Sequence, residues 1–112
     1  PTAGMDPRAR EDLMNLFISL NKSGKTIIIA THRLEELAQI SHSLSIMQSG
    51  KIITSGETQT IFAEKEKINE SGLLEPLTVQ ITRKLSEQGW PINLHQNITS
   101  DQLISTLEVL TA

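Results

Sequence analysis

His32 follows the run Thr26-Ile27-Ile28-Ile29-Ala30-Thr31. The run is mostly β-branched, is bounded by a Gly-Lys pair and a His, and reads as a strand buried on both faces, as in a parallel α/β sheet. The carboxyl end of such a strand is where open α/β sheets place their ligands. A neutral imidazole standing there can both donate and accept a hydrogen bond. A second set of residues with chemical potential is the turn Ala3-Gly4-Met5-Asp6-Pro7. Its aspartate can cap a helix, and its proline suits the first helical position, where a missing N–H costs nothing. Ser23-Gly24-Lys25-Thr26 ends like a phosphate-binding loop, but that loop needs a glycine where Ser19 stands. It also needs a strand before it and a helix after it, so that N–H groups and the helix dipole face the phosphates. Here the helix comes first, and the string reads as a helix C-terminal turn. His42 and His95 have no comparable setting and read as surface residues.

The elements that must hold these groups are marked in the pattern. Leu13, Leu16, Phe17 and Leu20 repeat at three and four residues, giving a first helix one apolar face. Lys22 falls in its last turn, and Gly24 suits the position just past its end. After the strand, Leu34, Leu37 and Ala38 return to helical spacing, with Glu35 and Glu36 near the N-terminus. Leu44 to Gln48 and Lys51 to Gly56 are short apolar strands around Ser49-Gly50, a β-hairpin pattern. From Glu57 onward the texture becomes charged and helical. Ile61, Phe62 and Ile68 punctuate residues 58–70, and Pro76 begins a helix with Leu77, Ile81 and Leu85 at fourfold spacing, closed by Gly89. Thr99-Ser100-Asp101-Gln102 matches a capping box and opens a last helix through Leu103, Ile104, Leu107 and Leu110. The boundary between core and tail falls near Gly56.

Composition narrows the classes. The 112 residues suit one small domain. Net charge is −3 with the basic residues scattered, which argues against a nucleic-acid footprint. The absence of cysteine excludes disulfides and thiolate metal sites and suits the cytoplasm. The longest purely apolar run, Ile27 to Ala30, is far too short to span a bilayer. The sequence opens on Pro1, and the expectation is a part of a longer protein.

The turn, the helix and the histidine-ended strand together resemble the D-loop and switch histidine of ABC-transporter ATPases, with the string Ile28-Ile29-Ala30-Thr31-His32 and the Leu34-Glu35-Glu36 after it. The family turn often reads Ser-Ala-Leu-Asp. Ala3-Gly4-Met5-Asp6 departs from that form but is close to the Ala-Gly-Leu-Asp of energy-coupling-factor (ECF) ATPases. Gly72-Leu73-Leu74-Glu75-Pro76-Leu77-Thr78-Val79-Gln80, Gly89 and the Thr-capped last helix resemble the extension of ECF and cobalt-type importer ATPases. Leu85-Ser86-Glu87-Gln88-Gly89 is similar to the ABC signature only in its first half, and it ends a helix where the signature opens one.

The resemblance implies an α/β fold: part of a P-loop NTPase (ABC ATPase) sheet over residues 1–56, and a helical carboxyl-terminal extension over 57–112. It implies that His32 bonds the γ-phosphate of ATP and orients the attacking water. Gly4, Met5 and Asp6 would contact a second ABC ATPase subunit, as homo- or heterodimer, and couple the two ATP sites. ATP and Mg²⁺ would be used by the complete subunit and neither by this chain alone. A transmembrane coupling subunit would hold the assembly on the cytoplasmic face of the membrane, where hydrolysis drives uptake of vitamins or metal ions. The alternatives are a catalytically inactive chain that acts as an interaction or dimerisation module, and an ABC-like ATPase of DNA repair. The acidic balance and importer-like tail speak against the last.

Overall fold

The computed structural model describes residues 3–111, without the side chain of His95. Pro1, Thr2 and Ala112 lie outside the described residues, as does the placement expected for the His95 side chain. The chain divides into two compact units, Pro1–His32 and Arg33–Ala112. It is mixed α/β, and its sheet among the described residues is a two-stranded antiparallel hairpin.

In the first unit, helix α1 spans Pro7–Lys22. It starts where the sequence sets a cap: the Asp6 carboxylate accepts from the Ala9 N–H at 2.9 Å, and Pro7 fills the first turn. It stops at Gly24, whose φ of +102° is easy only for a residue without Cβ. That conformation turns the Gly24 N–H onto the Asn21 carbonyl and the Lys25 N–H onto that of Leu20, at 3.0 and 3.1 Å. These are the paired bonds of a Schellman ending, which satisfy carbonyls the helix leaves over.

The buried strand expected over residues 26–31 is not formed. Residues 25–31 lie outside every strand, Thr26, Ile28 and Ala30 are exposed, and Ile28 is 93% exposed. The physical reason is the want of a neighbour. β-branched residues favour a pleated, half-buried surface rather than a backbone state of their own, and a lone strand gains no ladder bonds.

The second unit forms the core. Helix α2 (Leu34–Ile40) leads into β1 (Ser43–Gln48) and β2 (Lys51–Glu57), joined by Ser49-Gly50. Both turn residues have positive φ, 52° and 78°, the geometry of the two-residue turn whose twist matches that of the strands. The pairing runs from Ser43 opposite Glu57 to Gln48 opposite Lys51, with a bulge after Ile46. Leu44 and Ile46 point inward, while the Ser45 and Ser55 hydroxyls bond across the outer face at 2.7 Å. Short helices α3 (Thr58–Phe62) and α4 (Lys65–Glu70), then α5 (Leu77–Glu87), a 3₁₀ turn (Leu94–Gln96) and α6 (Ser100–Thr111) complete the unit. Its apolar cluster joins Leu34, Ala38, Leu44 and Ile46 to Ile61, Phe62, Ile68, Val79 and Ile98, so the core draws on residues from both sides of Gly56.

Polar locks hold the tail on this core. Thr58 donates its hydroxyl to the Ser41 carbonyl, and Thr78 donates to that of Ile98. The capping box forms as its sequence predicts: Thr99 Oγ1 accepts from the Gln102 N–H, and Gln102 Oε1 accepts from the Thr99 N–H. In α5 the apolar face differs from the one the spacing predicts. Val79 and Thr82 are buried, while Leu77 and Ile81 are exposed. The buried positions are set by what the helix packs against: Val79 lies in the cluster with Phe62 and Ile98, and just upstream the buried Glu75 is ion-paired with Arg83.

Phe62 has no exposed surface. Phe62→Ala should lower unfolding stability by about 3–5 kcal/mol. Leu77→Ala, on the exposed side of α5, should change it by less than about 0.5 kcal/mol. Urea denaturation of the two variants measures both, and equal losses would mean that Leu77 belongs to the core.

Candidate functional site

The candidate residues occupy the two ends of the first unit. Gly4 stands in a turn with φ +76°, Met5 is half-buried, and Asp6 is exposed at the amino end of α1. Asp6 therefore commits one carboxylate oxygen to the Ala9 N–H. A carboxylate has further lone pairs, so the cap leaves acceptor capacity on an exposed group.

His32 lies in a bend between the irregular segment and α2, with its side chain exposed. Among the described residues no hydrogen bond or ion pair joins it to Gly4, Met5 or Asp6. The turn and the histidine are thus each formed locally, and among the described residues no such contact assembles them into one site. His42, read from the sequence as a surface residue, is exposed.

What sequence reasoning did not find lies in the second unit. An open groove of about 310 Å³ is lined by Ser41, His42, Glu57, Thr58, Gln59 and Gln102, among others. Of these lining residues Ser41 and Thr58 are joined hydroxyl to hydroxyl at 2.7 Å, and Thr58 is buried. Among the described residues no group of three or more His, Cys, Asp or Glu could hold a metal ion. No helix of the described residues is long and apolar enough to cross a membrane.

No protein-family profile matches the chain. Curated proteins do. The chain is 32% identical over 108 residues to the energy-coupling factor transporter ATP-binding protein EcfA2 of Lactobacillus acidophilus, a match covering 96% of this chain and 37% of that protein. It is 36% identical over 93 residues to the protein of the same name from Streptococcus pyogenes serotype M5, covering 83% of this chain and 33% of that one. The chain thus spans about a third of the length of these curated relatives.

The Asp6 cap makes a separable prediction. Asp6→Ala should cost about 1 kcal/mol, and Asp6→Asn, an equally good cap, almost nothing. Native-state hydrogen exchange at the Ala9 amide should then rise about five-fold in the first variant only. The same rise in both would show that charge, rather than the hydrogen bond, holds this helix end.

Proposed function

We propose that this chain, a homologue over most of its length of energy-coupling factor transporter ATP-binding proteins, is the part of such an ABC ATPase that carries the D-loop and the switch histidine. The observation that carries this reading is the continuity of the similarity, which covers 96% of the chain. Locally it is supported by Asp6 in its capping position and by His32 presented, exposed, after the apolar run.

Geometry adds a physical argument. Helix α1 has 16 residues, a length of about 24 Å at 1.5 Å per residue. Residues 26–31, paired as a strand in a completed sheet, would run back about 20 Å. That return brings His32 to the level of Asp6. The neutral imidazole then has a donor for a γ-phosphate oxygen and an acceptor for the attacking water. The contact grows in value as charge develops on the transferring phosphoryl group. Gly4, Met5 and Asp6 face a second ATPase subunit, whose ATP site they couple to the first.

In this reading residues 1–56 end the ATPase core, and 57–112 form the carboxyl-terminal extension. ATP is the substrate of the complete subunit, and Mg²⁺ is held by acids outside this chain. The assembly sits on the cytoplasmic face of the membrane against a transmembrane coupling subunit and drives uptake of a vitamin or metal ion. A second reading, an inactive interaction module, is favoured by the exposed apolar residues Leu74, Leu77 and Ile81 on the tail.

The chain by itself should show no magnesium-dependent ATP turnover above a His32→Ala control, because a phosphoryl-transfer site depends on positioning groups the chain does not carry. In a complete subunit His32→Ala should lower kcat by roughly 10²–10³ and leave ATP affinity nearly unchanged. Turnover and nucleotide binding are measured side by side. An unchanged rate, or equal losses in binding and rate, would remove His32 from the role of switch residue.

A further inference from the structure

We propose that Thr58, at the start of the carboxyl-terminal extension, is a positioning residue for His32 and acts through helix α2. The proposal rests on His32 being the switch residue of a complete ATPase subunit, and it names what holds that residue in place. Arg33 alone separates His32 from Leu34, the first residue of α2. Two residues of chain reach at most about 7 Å. Wherever α2 is fixed, the His32 backbone is therefore confined near its amino end.

Helix α2 does not fix itself. Its seven residues are far fewer than an isolated helix needs in water, so its place is set by what it packs on. Leu34 and Ala38 enter one apolar cluster with Ile61, Phe62, Ile68, Val79 and Ile98, all from the extension. Apolar contacts are non-directional and leave a short helix free to slide or rotate. Hydrogen bonds are directional, and those that hold the other end of α2 come from Thr58. Its hydroxyl donates to the Ser41 carbonyl at 3.1 Å and stands 2.7 Å from the Ser41 hydroxyl. Its N–H donates to the His42 carbonyl at 3.3 Å. Ser41 is the residue that ends α2, with its own N–H on the Leu37 carbonyl at 2.9 Å. Thr58 is buried, so water is kept from replacing bonds lost there. The extension thus grips α2 at both ends, and His32 is carried on the helix it grips. A displacement of about 1 Å at a reacting group, caused from a distance, is enough to slow a reaction.

Thr58→Val keeps the shape of the side chain and removes the hydroxyl, while Thr58→Ser keeps the hydroxyl. In this chain, amide exchange at Ser41 should rise by about three- to ten-fold in Thr58→Val and stay nearly unchanged in Thr58→Ser. In the complete subunit Thr58→Val should lower kcat by about three- to ten-fold with KM for ATP unchanged, and Thr58→Ser should keep most of the rate. On a His32→Ala background Thr58→Val should cost nothing further, because residues that act through one another are not additive. Thr58→Ala is carried through the same measurements, and the same pattern is expected of it. An unchanged exchange rate at Ser41 would show that Thr58 does not hold α2. Equal losses of kcat with and without His32 would show that Thr58 acts elsewhere. Either result overturns the proposal while leaving the role of His32 intact. A His32→Ala subunit with full turnover would instead overturn the switch-residue reading, and the proposal with it.

Discussion

Each peptide unit in a strand carries a donor and an acceptor along the strand's edge, and both must be met by a neighbouring chain or by water. In this protein that requirement separates two stretches of similar β character. Residues 43–57 contain their own partner: Ser49 and Gly50 take positive φ, the chain reverses, and the strands pair. Residues 26–30 are as apolar but have helix α1 on one side and α2 on the other, and their backbone stays unpaired among the described residues. The hairpin offers a pleated face on which Leu44 and Ile46 can be buried. The rest of the second unit is built on that face.

The tail is held by burial combined with directional bonds. Phe62, Ile61, Ile68 and Val79 have almost no exposed surface. Around them the hydroxyls of Thr58, Thr78 and Thr106 bond to Ser41, Ile98 and Asn97, so that polar groups carried inward keep partners. The Glu75–Arg83 pair belongs to the same logic. Removing one member of a buried pair strands a charge, at a cost of about 3–5 kcal/mol. The pair therefore adds a directional constraint on α5 to the burial of Val79 and Thr82.

The functional reading follows from the same separation. The groups that the family resemblance singles out, Asp6 and His32, lie at the ends of the less packed unit, each formed by local rules. Asp6 is placed by a helix cap and His32 by the end of an apolar run. In the proposed reading the two meet when residues 26–31 pair as a strand, because an extended segment returns about 20 Å along α1.

Local features were legible in the sequence because they depend on a few adjacent residues. The Asp6-Pro7 start and Gly24 stop of α1, the Ser49-Gly50 hairpin and the Thr99-Gln102 capping box all form as read. Each is decided by φ preferences and by hydrogen bonds spanning only a few residues. The tertiary structure alone decided two other matters. Ile27, Ile28 and Ile29 have the composition of a buried strand, yet burial needs neighbours that composition cannot supply. Leu77, Ile81 and Leu85 have the spacing of a core face, yet Leu77 and Ile81 are exposed, Leu85 is half-buried, and the helix buries Val79 and Thr82 instead. Periodicity reports that a helix has an apolar side. Which side is buried depends on partners distant in the chain.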